Sequence, residues 1–230
     1  VHMYDKRIGY VMEEVRPVDG GFQVHQQAEL RLKVLDRVQP VKMDLHAELD
    51  TGMQLKTFEF TFSSPFYSTE AQGRAEGSTV HFTLDTGRAI IEDSITLSGA
   101  PLLPLNQRGY LLSQLSQKGD KAKIPFFDPF SLTHRQSVVT YKGRDKELIG
   151  GRVHNLYEFT ESYSGMEINF WLNDEGKIIK EKSPAGFVFE AEPKFRAMDI
   201  KDSGEELLAA VAVQYSGKLL PENSEVAMYS

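Results

Sequence analysis

The six histidines are the residues of this chain best suited to bind a metal ion or to move a proton. Each stands alone on a different predicted strand or loop, and the helical HExxH arrangement of zinc enzymes is absent. Two or three could meet across neighbouring strands, but surface or hydrogen-bonded histidines are the favoured interpretation. We therefore assign no metal ligand and no cofactor from the sequence. The six are His2, His25, His46, His81, His134 and His154.

Other catalytic patterns are also missing. The chain has no GxSxG elbow for a serine nucleophile, no glycine-rich phosphate loop and no cysteine. Adjacent carboxylates, as at Glu13 and Glu14 or at Glu205 and Glu206, point to opposite faces of an extended strand, whereas a glycosidase needs two carboxyls facing one sugar. We assign no catalytic residue and expect this segment not to be an enzyme.

Aromatic and aliphatic side chains are the remaining candidates for function. Their plainest interpretation is a hydrophobic core. The functional alternative is an apolar concavity for an acyl chain or a hydrophobic peptide, covered by the segments that carry Leu111 and Phe130. The candidate ligand-binding residues are Phe60, Phe62, Phe82, Leu112, Leu115, Phe130 and Phe170.

Strict alternation of apolar and polar residues determines how these side chains are positioned. Phe58, Phe60 and Phe62 alternate with polar residues, and a period of two puts each set on one face of a sheet. Turn residues divide the chain into successive strands. Strands are predicted at residues 7–15, 22–34, 41–49, 55–63, 79–84, 89–97, 137–141, 146–159, 166–172, 178–182 and 187–192.

Helix is predicted in only a few places. Leucines near helical spacing indicate a helix over residues 105–115, with Gly119 placed to end it. Asp128 is expected to cap a short helix that starts at Pro129 and carries Phe130. The stretch from Gly204 is compatible with either a helix or a strand.

We therefore predict a mainly β fold: a curved antiparallel sheet, open or half barrel, with two or three short helices as lid or plug. A sandwich of two sheets without a cavity is the alternative. The glycine pair Gly150 and Gly151 is expected to bend one long strand over residues 146–159.

Composition argues against a nucleic-acid partner and against a membrane-spanning helix. The formal net charge is −7, with acidic and basic residues interspersed, which argues against a nucleic-acid surface. No run of about 18 apolar residues is present, so we expect no membrane-spanning helix. The absence of cysteine does not fix the compartment.

Several short motifs together carry a resemblance to a known class. They are KRIGY at residues 6–10, the Asp128–Pro129 pair, the Gly150–Gly151 pair, WLNDEGKIIKE at residues 171–181 and SPAGF at residues 183–187. With them the chain resembles the β-rich region that precedes the catalytic domain in bacterial envelope proteins of the transglutaminase-like class. It is also similar to related envelope domains of unknown function.

This resemblance implies a non-catalytic accessory domain in the periplasm or cell envelope, with a sheet similar to that of the LolA and LolB lipoprotein carriers. A catalytic domain with Cys, His and Asp would then follow Ser230. From the chain length and the strand pattern we expect one β-rich domain over residues 1–215, with residues 216–230 as the start of a linker or following segment.

We expect such a domain to bind a lipid or other hydrophobic small molecule, or a downstream domain of the same chain, on its curved sheet. A structural or protein-interaction sandwich is the second hypothesis. A hydrolase of envelope polymers is the least favoured. The first two differ in whether an apolar cavity lies beneath residues 105–115.

Overall fold

The fold is almost entirely β-strand. The computed structural model describes residues 1–3, 6–34, 37–104, 107–163, 165–183, 186–199 and 205–206. The predicted boundary at residue 215 lies outside them. The strands are β1 (His2–Met3), β2 (Lys6–Arg7), β3 (Gly9–Val18), β4 (Gly21–Val34), β5 (Arg37–Leu49), β6 (Leu55–Ser63), β7 (Ser68–Glu76), β8 (Thr79–Asp85), β9 (Ile90–Thr96), β10 (Lys121–Asp128), β11 (Thr133–Ile149), β12 (Arg152–Tyr163), β13 (Met166–Leu172), β14 (Ile178–Lys182), β15 (Phe187–Glu190) and β16 (Glu205–Glu206). The helices among these residues are α1 (Gln107–Gln114) and α2 (Lys194–Ala197).

The strands form two sheets. In the N-terminal sheet, strands β3 to β9 follow one another as an antiparallel meander, and β16 adds two parallel residues beside β4. In the C-terminal sheet, β10 to β15 form a second meander that continues to β1 and β2. Tight turns allow these direct connections: Oδ1 of Asp50 accepts hydrogen bonds from the backbone N–H groups of Gly52 and Gln54, at 2.8 and 2.9 Å.

The stretch from residue 6 to residue 18 contributes strands to both sheets. Residues 6–7 pair with β1 in the C-terminal sheet, and two residues later the same stretch pairs with β4 in the N-terminal sheet. Between them, Ile8 accepts a hydrogen bond from the backbone N–H of Arg31 and donates one to Val1. Strands β9 and β10 lie at the far ends of the two sheets. The predicted fold, mainly β with an open curved antiparallel arrangement and short helices, is confirmed.

The inner face of the N-terminal sheet carries the first core cluster. Val24, Ala47, Phe58, Gly73 and Phe82 form one row across five strands, because each is paired with the next. A Cβ on Gly73 would lie 2.5 Å from the carbonyl oxygen of His81 and 2.6 Å from the ring of Phe58. Glycine is therefore what lets the two phenylalanines of this row pack so closely.

Helix α1 covers the inner face of the C-terminal sheet. Leu111 and Leu115 are buried there, and they form the plug cluster with Ile124, Phe126, Val139, Tyr141, Phe159, Phe170 and Leu172. The predicted helix is thus present as a plug. It ends at Gln114, and Gly119 lies in the turn that follows, where its N–H donates to the carbonyl of Tyr141.

Two local predictions were wrong. Gly150 and Gly151, with φ of 56° and 78°, form the turn between β11 and β12 instead of a bend in one long strand. Such angles at both central residues belong to the two-residue hairpin turn whose twist matches its strands. The register irregularity lies at Gly143 instead. The segment after Asp128 is a turn, not a helix.

Of the longer strands, β7 and β10 are absent from the predicted set, for the same kind of reason. β7 is rich in polar and small residues, and β10 contains Pro125 within a run of apolar residues, so neither shows a clean alternation. Both are held by their neighbours in the meander. The stretch from Gly204 contributes the two residues of β16, and the rest of it lies outside the described residues.

Candidate functional site

A cavity of about 770 Å³ lies between the inner faces of the two sheets. Leu45 and Phe60 line it from the N-terminal sheet, and Ile168, Phe170 and Phe189 from the C-terminal sheet. Its volume falls within the range of about 300 to 1,000 Å³ that small-molecule sites occupy. The cavity is large enough for a ligand.

Strand pairing brings the lining residues together. Leu45 is paired with Phe60, so both point to the inner face. In the other sheet Phe170 is paired with Glu181, and Glu181 with Phe189. The same alternation that builds the core therefore also builds the walls of the cavity.

The turn after β10 covers part of the cavity. Oδ1 of Asp128 accepts a hydrogen bond from the backbone N–H of Phe130 at 3.0 Å, and Oδ2 accepts one from the Ser131 hydroxyl at 2.8 Å. The ring of Phe130 packs against Phe60 and Phe62, with centroids 5.8 and 5.9 Å apart. Because 56% of Phe130 is exposed, this ring forms a thin cover with one face in water.

The polar part of the lining is acidic. The carboxylates outnumber the cations, which are Arg7 and Lys194. Arg7 lies 2.7 Å from Glu192 in an ion pair. Glu161 is only 3% exposed and accepts a hydrogen bond from the Ser137 hydroxyl at 2.6 Å. The lining carboxylates are Glu13, Asp128, Glu161, Glu181, Glu190 and Glu192.

The predicted ligand-binding residues divide into two groups. Phe60, Phe130 and Phe170 line the cavity, and Phe62 supports Phe130 from the side. Phe82 belongs to the first core cluster. Leu115 is buried in the plug cluster, and Leu112 packs against it half-buried. The space beneath α1 is thus filled by side chains, and the cavity lies on the other side of Phe170.

The carboxylates that line the cavity are not among the residues predicted from the sequence to bind a ligand. Glu161 and Glu181 each occupy an inward position of an otherwise apolar strand face, beside Ile168 and Phe170 respectively. A carboxylate at an inward position of a strand is itself unusual, because burying a charge is costly. That break in the alternation was the available signal.

A second concave region lies on the outer, polar face of the N-terminal sheet. This groove, of about 1,190 Å³, is wide and lined mainly by charged and polar side chains such as Glu14, Glu59 and His81. His25 and His46 also line it, directly opposite each other on β4 and β5. Their rings are stacked 4.2 Å apart at an angle of 9°.

Asp44 holds these two histidines together. Its Oδ2 lies 2.9 Å from Nε2 of His25, and its Oδ1 lies 2.8 Å from Nε2 of His46. Of the described residues, these three are the group whose side-chain atoms could hold a metal ion. Histidines of different strands can meet or can be held by hydrogen bonds, and His25 and His46 do both.

A small apolar cluster covers the outer face of the C-terminal sheet. Trp171 is 4% exposed and packs there with Ile149 and Leu156. Beside it, Nζ of Lys180 lies 2.7 Å from Glu147. Burial acts to lower the pKa of Lys180, but the hydrogen bonds and charges of Glu147 and Glu190 outweigh it and hold that pKa above its usual range.

Similarity to solved structures supports the fold assignment. The protein is similar to a β-barrel-like protein of the domain of unknown function DUF1849 from Brucella abortus, with a TM-score of 0.55 and 12% identity over 75% of this chain and 80% of that chain. A DUF1089 family protein from Pseudomonas aeruginosa matches with a TM-score of 0.46 and 14% identity, over 81% of this chain and 96% of that chain. No protein-family model and no curated protein matches the chain.

At 12% identity the first likeness shows the fold alone. The chain is a β-rich, barrel-like domain of a kind found in proteins of unknown function. In the part of the chain that the structure describes, no helix has the length and apolar character needed to cross a membrane.

Proposed function

We propose that this domain is a non-catalytic carrier that binds a single apolar chain, such as an acyl chain, in the cavity between its two sheets. The observation that carries the proposal is the cavity of about 770 Å³ bordered by Phe60, Phe130 and Phe170. An interior built only for stability would be close-packed, because empty space forfeits dispersion contacts. The space beneath α1 is packed in that way.

The acidic lining limits the head group of the ligand. Six carboxylates against two cationic side chains repel an anion and attract a cation or a neutral hydrogen-bond donor. The proposed ligand therefore combines an apolar chain with a neutral or cationic head, and a free fatty acid fits poorly.

The entrance is proposed at the turn and at α2. Phe130 is 56% exposed and Met198 is 48% exposed, and both line the cavity. Helix α2 buries none of its residues, so little packing energy holds it in place. Movement of these two elements would open a path without breaking a sheet.

Titration with matched amphiphiles tests the proposal. We expect a dodecyl chain with a quaternary ammonium head to bind saturably with one site, and dodecanoate to bind at least about tenfold more weakly. Ala28→Phe adds a ring to a buried position of the wall and should reduce binding, whereas Ala89→Phe, in an exposed turn, should not. Met43→Trp is a second filling variant should Ala28→Phe fail to fold. Equal binding by all variants would contradict the proposal.

We also propose a location in the cell envelope, as an accessory to a transglutaminase-like domain or a relative of the lipoprotein carriers. The motifs between Lys6 and Phe187 support this, and the zero cysteine content is compatible with it. Fractionation of cells that produce the native full-length protein, with antibody detection, tests the location. Recovery in the cytoplasmic fraction would contradict it.

A further inference from the structure

We propose that His25, Asp44 and His46 form a binding site for a divalent transition-metal ion, with zinc as the best-matched candidate. The site lies on the outer face of the N-terminal sheet, away from the cavity, and does not depend on the proposed function. It rests on the position, spacing and chemistry of these three side chains.

The sheet itself fixes the position of the three residues. His25 on β4 and His46 on β5 are a directly opposed pair, and Asp44 is two residues before His46 on the same face. Thirteen pairs of residues join β4 to β5, from Phe22 paired with Leu49 to Val34 paired with Arg37. The ligands are therefore held by a long stretch of paired backbone and not by a loop.

The spacing is compatible with one shared ion. The three candidate ligand atoms all lie within 4.8 Å of one another. Two ligands at about 2.0 to 2.1 Å from a tetrahedral zinc ion are about 3.3 Å apart. Each Nε2 lies 2.8 or 2.9 Å from a carboxylate oxygen, so small movements suffice to place an ion between them.

One rearrangement is required. The imidazole rings are parallel, so their Nε2 lone pairs do not converge on one point. The side chain of His46 is 59% exposed, which leaves room for its ring to turn out of the stack. Asp44 meanwhile keeps both Nε2 atoms on the same side of the sheet.

The ligand chemistry selects the class of metal. Two imidazoles and one carboxylate suit zinc, nickel or copper, whereas calcium and magnesium prefer oxygen ligands alone. The surrounding face favours a cation, because the next positions in the row are Glu14 beside His25 and Glu59 beside His46. Glu14 is already engaged by Arg16 at 2.7 Å, so Glu59 is the better placed fourth ligand.

Competition titration of zinc against a chromophoric chelator, on protein freed of any histidine tag, tests this site. We expect one equivalent to bind, with affinity lowered more than about tenfold in each of His25→Ala, Asp44→Asn and His46→Ala. The matched control is His81→Ala: His81 lies on the same face, three strands from His46 and two residues along, more than about 14 Å away, and should leave affinity unchanged.

Two further readouts make the outcome decisive. Zinc should shift the imidazole nitrogen resonances of His25 and His46 but not those of His81 in NMR spectra. Affinity should fall at acidic pH, because only a neutral imidazole can bind the ion. The proposal would be overturned by either of two results. One is no binding at about 100 μM zinc, a concentration far above the dissociation constant expected of a specific site. The other is equal binding by wild type and the three ligand variants.

Discussion

The interior of this protein has two regions built from the same strand pattern, one packed and one hollow. Beneath α1, Leu111 and Leu115 fill the space against Phe159 and its neighbours. Phe170 stacks on Phe159 with centroids 5.3 Å apart, and beyond it the inner faces border the cavity, which is partly open to solvent. Phe170, which is only 2% exposed, thus belongs to the packed cluster and also borders the cavity.

The difference lies in what covers each inner face. Helix α1 and the residue that follows it bring two buried leucines, Leu111 and Leu115, into the plug cluster. At the cavity, the described cover is a four-residue turn around Phe130 and the four-residue α2, whose Phe195 is 76% exposed. Alternation alone therefore determines where an inner face lies, and the connecting segments determine whether it becomes core or cavity.

The largest expected difference in stability comes from replacing one phenylalanine by alanine in each region. Phe159→Ala in the plug cluster should lower the free energy of unfolding by about 3 to 5 kcal/mol, because it creates a void in a fully buried site. Phe130→Ala at the cavity should cost less than about 1 kcal/mol, since more than half of the ring is already exposed. Urea denaturation measures both. Similar losses would mean that the two regions are equally packed.

Gly73→Ala tests the close packing of the first core cluster. The added Cβ would meet a backbone oxygen at 2.5 Å, and a carbonyl in a paired strand cannot move aside cheaply. We expect a loss of about 1 to 3 kcal/mol in chemical denaturation. Gly99→Ala is the control without a clash, because a Cβ there would lie 3.6 Å from the Pro125 side chain and φ is not positive. An unchanged free energy of unfolding for Gly73→Ala would show that this row of residues is not closely packed at Gly73.

Lys180 tests whether the outer face contributes to stability independently of the interior. Because its pKa is raised on folding, its contribution is present below the unfolded pKa of about 10.4 and is lost as pH rises through the folded value. Lys180→Met should cost about 2 kcal/mol at pH 7, since Glu147 and Glu190 then lose their shared cation. The gap between wild type and variant should shrink above pH 10.5. A gap that stays constant with pH would contradict this account.

The smallest effect is expected at the turn over the cavity. Asp128→Ala removes the acceptor for the Phe130 N–H and the Ser131 hydroxyl, and should lower the free energy of unfolding by about 0.5 to 1.5 kcal/mol. The same loosening should speed the release of a bound amphiphile, which stopped-flow fluorescence measures. An unchanged melting temperature together with an unchanged release rate would show that Asp128 does not hold the cover.

Much of the fold is predictable because alternation and turn residues are local signals. The strand at residues 55–63 was predicted with the bounds that β6 has, and Phe58 and Phe60 are buried as their alternation requires. The pair Gly150 and Gly151 fits a bend as well as a hairpin turn, and only the pairing of Ile149 with Arg152 decides between them.

The candidate sites were harder to predict because both depend on long-range register. His25 and His46 face each other because the pairing that starts at Val34 and Arg37 continues in step for nine residues along each strand. One residue of slip would place them on opposite faces. Phe60 and Phe170 are 110 positions apart in the sequence, and only the meeting of the two sheets makes them neighbours of one cavity.

The most direct test of the carrier hypothesis is to locate a bound chain. Crystals grown with an alkyl ammonium amphiphile brominated at its chain terminus should give an anomalous peak between Phe60, Phe130 and Phe170. We predict that this peak disappears in Ala28→Phe and persists in Ala89→Phe. A peak confined to the outer surface, or none at saturating amphiphile, would contradict the claim that the space between the sheets is a binding site.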